Sequence, residues 1–302
     1  MLKIVVVQDL GLNSQERKKL DKLGETAYYD DLPPTIDEWL KRCKNADIIC
    51  TGKFGFKTEK LYELKNKFFS VPFVGTGFLI PEKLKESNLL VSRAPGCNKE
   101  AVSNWIIAMI LNLLRELPKF INSFNMPIGI PPKETIGLPE KNITILGKGN
   151  VGFRVGKISE VLGMNVKYFM RGDNLLESVK NSDVIVDTLS LNSSTIGLLD
   201  NKFFKSLKKG SYFITVTSPR IYDVEAMLEA LNSNILAGVA NDCGGIQVGD
   251  VGDEFFIRMA KHPKILATPH ISYNTDFTDR KANKMMIDNI EAYIAGNPIN
   301  LV

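Results

Sequence analysis

The 302-residue chain is poor in the side chains that build metal sites. It has two histidines and four cysteines, and no two cysteines form a C-x-x-C pair. That speaks against structural zinc, which needs a closely spaced set of four such ligands, and no metal is expected. Cys43, Cys50, Cys97 and Cys243 read as reduced thiols, so a cytoplasmic setting is expected. No run of eighteen apolar residues occurs, so no membrane partner is expected. The N-terminal MLKIVVVQDL has a short apolar stretch that leads into acids, and it reads as a first strand rather than a signal peptide. Charge of one sign is also scarce. The net value is +4, from 38 basic and 34 acidic residues, too small and scattered for a nucleic-acid footprint. No internal repeat or low-complexity tract is present.

What remains is the composition of a globular protein: 44% hydrophobic and 24% charged residues. The length fits two domains or one large one. Apolar runs at Lys3–Gln8, Asp47–Thr51, Phe69–Val74 and Leu89–Ser92 read as strands. Ser14–Leu23 and Ile36–Lys44 read as helices between them. Strands alternating with helices predict a parallel, helix-covered sheet. A long helix follows, from about Asn98 to Leu117, with apolar residues nearly all round it. Such a helix is buried, either between domains or subunits or in the core of a monomer. Five prolines between Leu117 and Glu140 (Pro118, Pro127, Pro131, Pro132, Pro139) predict a linker or arm without regular structure. The alternation then restarts. Strands are expected at Ile143–Leu146, Val166–Phe169, Val184–Leu189, Tyr212–Val216, Leu236–Ala240 and Lys264–Ala267, and a final helix at Thr278–Ala295. Six strands with crossovers predict a doubly wound nucleotide-binding domain.

Within it, Gly147-Lys148-Gly149-Asn150-Val151-Gly152 follows a strand and opens a helix, the context in which a G-x-G-x-x-G run binds a dinucleotide. Gly147 allows the tight turn, Gly149 lets backbone approach a pyrophosphate, and Gly152 lets helix and strand pack closely. The helix N-terminus offers N–H groups to the phosphates. At the end of the next strand an NAD enzyme carries an acid for the ribose hydroxyls. Here the residues are Met170-Arg171-Gly172-Asp173. Arg171 suits a 2′-phosphate, so NADP is favoured over NAD. The alternative has Asp173 turning toward the hydroxyls and Arg171 solvated.

Several stretches together resemble the D-2-hydroxyacid dehydrogenase family over almost the whole chain. They are Arg93-Ala94-Pro95-Gly96-Cys97-Asn98 before the long helix, GKGNVG with Leu162-Gly163-Met164, Leu189–Leu199, Lys209-Gly210, and Thr268-Pro269-His270-Ile271. The resemblance implies an α/β protein of two doubly wound parallel-sheet domains. A Rossmann-type cofactor domain (97–274) is inserted into a flavodoxin-like substrate domain (1–96 and 275–302), and a homodimer forms through 98–117. It also implies roles. Gly147, Gly149, Asn150, Val151 and Gly152 hold the cofactor phosphates, with Met170 and Arg171 at the ribose. Leu189, Ser190, Thr195, Val216, Thr217 and Asp242 line the rest of the cofactor site, Asp242 toward the nicotinamide amide. Gly75, Thr76 and Gly77, in Val74-Gly75-Thr76-Gly77, present backbone N–H groups to a substrate carboxylate. His270 is the acid/base, since an imidazole both gives and takes a proton near neutrality. His262 is expected to be merely exposed.

The chain departs from the family at its catalytic half. The family's substrate arginine falls on Ser218, with Arg220 two residues on. Arg220 either reaches back into the site or stays a surface charge. The glutamate that partners the histidine falls on Gly245, leaving the ring's tautomer less defined unless Asp250, Asp253 or Glu254 enters instead. An acid common beyond the glycine loop is Leu79, and one in the long helix is Asn104. Cys97 and Cys243 map near the site and read as inert buried thiols. The leading expectation is an NAD(P)-dependent reductase of a small 2-oxo acid, such as glyoxylate or hydroxypyruvate. The second is a dinucleotide-binding sensor or scaffold with little turnover.

Overall fold

The structure, a computed structural model, describes residues 1–121 and 134–302. Its elements in chain order are β1 (Lys3–Val6), α1 (Ser14–Leu23), β2 (Glu25–Tyr28), α2 (Ile36–Cys43), β3 (Ile48–Cys50), β4 (Lys67–Ser70), α3 (Pro81–Glu86), β5 (Leu89–Ser92), α4 (Lys99–Leu114), α5 (Leu117–Ile121), β6 (Asn142–Leu146), α6 (Asn150–Val161), β7 (Asn165–Phe169), α7 (Leu175–Val179), β8 (Val184–Asp187), α8 (Asn201–Lys205), β9 (Ser211–Thr215), α9 (Val224–Asn232), β10 (Leu236–Asn241), α10 (Glu254–Ala260), β11 (Ile265–Ala267) and α11 (Asp276–Ile294). The chain divides into two units, Met1–Asn98 with Asn274–Val302, and Lys99–Tyr273.

The first unit holds a five-stranded sheet in the order β2-β1-β3-β4-β5, parallel throughout. That is the flavodoxin-like order. Both faces are covered, so β1 is apolar at every inner position. Val5 and Val7 pack with Trp39, Ile49 and Phe69 on one face. Ile4 and Val6 pack with Ile48, Phe68, Met286 and Ile290 on the other. The C-terminus belongs here because α11 covers that second face. Phe68 stacks on Tyr293 with ring centroids 4.0 Å apart. The buried Asn289 side chain donates to the Arg93 carbonyl at 2.9 Å and accepts from Asn300 at 2.8 Å.

The second unit holds six parallel strands in the order β11-β10-β9-β8-β6-β7. The order reverses at β6, so β7 and β8 flank it. One face buries Phe169, Ile185, Phe213 and Val239. The other buries Ile143, Ile145, Val184 and Ile214 beneath Val102, Ile106 and Ile110 of α4 and Val155 of α6. Part of α4 is therefore core of its own unit, while Trp105, Met109 and Leu113 are only half-buried.

Several expectations need correction. β2 was not anticipated, because its Glu-Thr-Ala-Tyr is an edge strand with no fully buried residue. The strand expected at Phe69–Val74 lies at Lys67–Ser70, because Pro72 has no N–H for a ladder. The long helix stops at Leu114, and Glu116 takes a left-handed φ of 49°. Leu117 opens α5, with Pro118 in its first turn, where a missing N–H costs nothing. The stretch after Leu117 thus starts with regular structure. Pro127, Pro131 and Pro132 lie outside the described residues. No described helix is long and apolar enough to cross a membrane.

Asn289→Ala should destabilise the first unit by about 2 kcal/mol, since it leaves the buried Arg93 carbonyl unpaired. Urea unfolding of the variant against wild type checks this.

Candidate active site

Register assembles the site of the second unit. Phe169, Leu146, Asp187, Thr215, Asn241 and Ala267 sit side by side across the sheet. They are the last residues of their strands. Every cofactor or catalytic candidate of this unit therefore follows a strand end, along the carboxyl edge where doubly wound sheets bind ligands.

At β6 the chain turns through Gly147, φ 96°, whose N–H donates to the Phe169 carbonyl at 3.0 Å. Gly149 is the N-cap of α6 and offers no side-chain cap, so first-turn N–H groups stay available to an anion. A Cβ on Gly149 would meet nothing within 4 Å. A Cβ on Gly152 would lie 2.1 Å from the Gly147 carbonyl oxygen and 2.7 Å from Thr188 Oγ1. Only glycine lets α6 start this close to the turn. Asn150 is exposed and Val151 packs against the core. A cavity of about 530 Å³ opens beside this loop, lined by Lys99, Lys148, Gly149, Asn150 and Arg154 among others.

At the end of β7, Met170 and Arg171 are exposed. Asp173 turns back to accept from the Met170 N–H at 2.8 Å, so its carboxylate is engaged in its own turn. Arg171 reaches Ser194 Oγ at 3.4 Å and makes no ion pair among the described residues. The Lys148 ammonium lies 4.8 Å from the Tyr168 ring centroid.

Under this edge lies a group that motif reading missed. Asp187 is fully buried. It accepts from Thr217 Oγ1, from Thr215 Oγ1 at 3.2 Å and from the Leu189 N–H at 3.1 Å. Burial outweighs these donors and pushes its carboxyl up to about 6. Thr217 is thus anchored downward, and Val216 beside it is half-buried. Thr195 is spent inside its loop, donating to the Ser190 carbonyl at 2.7 Å and accepting from the Asn192 N–H at 2.9 Å. Only the run of alternating hydroxyls at 215 and 217 could have signalled the network.

His270 sits in a loop fixed by Asp242. That buried carboxylate accepts from Thr268 Oγ1 at 2.5 Å and from the Ile271 and Ser272 N–H groups, each at 2.9 Å. Gly249 ties in from the facing loop, donating to the Pro269 carbonyl at 2.8 Å. His270 takes a left-handed φ of 55°, and its Nδ1 lies 3.0 Å from the Ile246 carbonyl oxygen. A carbonyl can only accept, so Nδ1 carries the proton and Nε2 is left for chemistry. The ring is therefore oriented by backbone. Among the described residues the ring's hydrogen-bond partner is this carbonyl and not a carboxylate: Asp253 caps α10 at the Phe255 and Phe256 N–H groups, and Asp250 accepts from the Gly252 N–H. Gly245 stands beside Ser218, since a Cβ on it would lie 3.9 Å from Ser218 Oγ. Ser218 Oγ accepts from the Arg220 N–H at 3.3 Å, while the Arg220 side chain is exposed and makes no ion pair in the structure. His262 is half-buried rather than simply exposed, and its Nδ1 accepts from the Lys264 N–H at 3.2 Å. Gly75, Thr76 and Gly77 belong to the first unit. All four cysteines are free and buried, and burial pushes the Cys243 thiol up to about 12.

Comparison with known proteins fits this geometry. Residues 107–272 match the family model for the D-isomer specific 2-hydroxyacid dehydrogenase NAD binding domain. A hydroxypyruvate reductase of Blautia hydrogenotrophica is 25% identical, covering 100% of this chain and 99% of its own. Among solved structures, an acyclic imino acid reductase in complex with NADPH and D-Arg aligns over 100% of both chains, at 21% identity and a TM-score of 0.84. A D-lactate dehydrogenase from Treponema pallidum aligns over 100% of this chain and 99% of its own, at 20% identity and a TM-score of 0.80.

The folded protein holds the Asp187 proton more tightly than the unfolded chain does, whose carboxyl has its ordinary value near 3.8. Its contribution to stability is therefore largest at low pH and is lost as pH rises from about 4 through 6. Between pH 5 and 7.5 wild type should lose about 1 kcal/mol more stability than Asp187→Asn. Urea midpoints of both proteins across that range check the sign.

Proposed function

The chain belongs to the D-isomer specific 2-hydroxyacid dehydrogenase family, and on that premise we propose that it reduces a small 2-oxo acid of the glyoxylate or hydroxypyruvate kind, with His270 as proton donor and NADPH preferred over NADH. The observation that carries this reading is the oriented His270 ring, held through Nδ1, with no hydrogen bond at Nε2 among the described residues.

The loop at Gly147–Gly152 fits a dinucleotide. Its glycine Cβ positions are either open, as at Gly149, or filled by the chain's own turn, as at Gly152. The free N–H groups of α6 would take the pyrophosphate. Arg171 would take a 2′-phosphate, because Asp173, two residues on, is committed to the Met170 N–H. The nicotinamide, when bound, supplies the hydride. The chain's own residues do the rest. His270 gives its Nε2 proton to the oxygen that becomes the hydroxyl, and Ile246 holds the imidazolium through Nδ1. Asp242 acts by holding the loop that carries His270. Ser218 donates one hydrogen bond to the substrate, where an arginine would have offered a charged fork. The backbone N–H groups of Gly75, Thr76 and Gly77 receive the substrate carboxylate. The half-buried Trp105, Met109 and Leu113 of α4, with an indole N–H that has no acceptor among the described residues, fit a homodimer contact.

Assays of NADPH and NADH consumption with glyoxylate, hydroxypyruvate and pyruvate test the reading. His270→Ala should lower kcat at least about 100-fold, the lower end of the range for a lost general acid, with NADPH affinity unchanged. Arg171→Ala should weaken NADPH by about 10-fold relative to NADH. Retained NADPH binding with no turnover of any of these acids would overturn the reductase and leave a dinucleotide sensor.

A further inference from the structure

Three oxygens close a ring beneath the carboxyl edge of the second unit's sheet. Asp187 ends β8 and Thr215 ends β9, side by side in register. Thr217, two residues past the strand, turns its hydroxyl back to them. Asp187 Oδ2 meets Thr217 Oγ1 and, at 3.2 Å, Thr215 Oγ1, while the two threonine oxygens lie 3.1 Å apart. All three residues are buried. Each contact needs a hydrogen, and each hydroxyl carries only one. An ionised carboxylate takes both and leaves the Thr215–Thr217 contact with none. A carboxyl proton supplies the missing hydrogen, and the ring then closes in either sense.

The surroundings suit a neutral acid. Asp187 makes no ion pair among the described residues. In register with it stand Leu146 on β6 and Thr215 on β9, neither charged. Tyr222, beyond Thr217, is a titratable neighbour that senses the Asp187 charge, and burial pushes its phenol up. Its hydroxyl accepts from Asn241 at 2.9 Å. From β10's end, the Cys243 thiol is pushed up to about 12, and Asp242 spends its carboxylate on the Thr268–Ser272 loop. No motif assigns Asp187 a role.

The same carboxyl ties two loops together. Its Oδ1 accepts from the Leu189 N–H at 3.1 Å, so it holds the loop after β8 by one oxygen and the loop after β9 by the other. Thr188 Oγ1 lies 3.0 Å from the Leu146 carbonyl oxygen and 3.2 Å from that of Gly147, which extends the tie to the glycine turn. The loop after β10 packs on the same segment, since a Cβ on Gly244 would lie 2.2 Å from the Thr217 carbonyl oxygen.

We propose that Asp187 is a positioning residue that works as a neutral carboxylic acid, clamping the Leu189 and Thr217 loops in the form that binds the dinucleotide. This rests on the reading of those loops as cofactor-lining. Loss of the proton, centred near the value of about 6 that burial imposes, removes one hydrogen from the ring and frees Thr217. Dinucleotide affinity therefore falls as pH rises through that value, and binding in turn favours the protonated acid, because the coupling is reciprocal.

The test measures NADH binding to the full chain by calorimetry between pH 5 and 7.5. NADH is the probe because a 2′-phosphate itself titrates near roughly 6. An amide donates where the acid does, so Asp187→Asn should keep the low-pH affinity across the range. Wild type should lose about 5-fold relative to it, the scale of one hydrogen bond, and Asp187→Ala should be about 5-fold weak at every pH. At pH 7, wild type should take up a proton on binding NADH, read from two buffers of different ionisation enthalpy, and Asp187→Asn should take up less. The infrared difference between wild type and Asp187→Asn should show a protonated-carboxyl stretch at pH 5 that is gone at pH 7.5. Absence of that band at pH 5, or parallel affinity profiles of wild type and Asp187→Asn, would overturn the inference alone. No NADH or NADPH binding by wild type at any pH would overturn the cofactor reading and this inference with it.

Discussion

The buried carboxylate of Asp242 is the constraint on which the rest of the site depends. An isolated charge in a protein interior costs several kcal/mol, and this one is compensated by a hydroxyl and two backbone N–H donors, all from the Thr268–Ser272 loop. The loop has little freedom once those donors are taken. His270 is carried into a left-handed backbone conformation, uncommon for a residue with a side chain though more open to histidine than to most. From there the ring meets the Ile246 carbonyl. The tautomer of the candidate acid thus follows from a carboxylate that never touches it.

The two departures from the family pattern belong together. Ser218 and Gly245 are neighbours in the second unit, so the positions expected to carry an arginine and a glutamate are both neutral and adjacent. A glutamate at 245 would have to adopt the glycine's φ of 98° beside a serine that brings no countercharge. With the cation gone, a neutral acceptor is the less costly partner for the imidazole.

Much of this was legible in the sequence where local rules apply. The glycine turn and the strand pattern of the second unit lie where spacing and turn chemistry placed them, because each rests on a backbone need that few residues meet, while the Thr268–Ile271 motif was read from the family resemblance. What escaped was decided by packing or by main chain. β2 has no buried run to reveal it, and the end of α4 is set by a turn at Glu116. The histidine's partner is a carbonyl, which every residue possesses and no sequence advertises. Asp187 lay inside the strand expected at Val184–Leu189, and only the fold ends that strand at Asp187 and shows two threonines aimed at it.

The central claim is that backbone orients His270 with its proton on Nδ1. The protein has two histidines, so His262→Gln leaves one imidazole to observe. Long-range ¹H–¹⁵N correlation spectra of that variant, recorded above the ring's titration, read its tautomer directly. The account predicts a protonated Nδ1 and a bare Nε2. A neutral ring with its proton on Nε2 would contradict it, for the Ile246 contact would then be no hydrogen bond and the nitrogen assigned to the chemistry would be the wrong one.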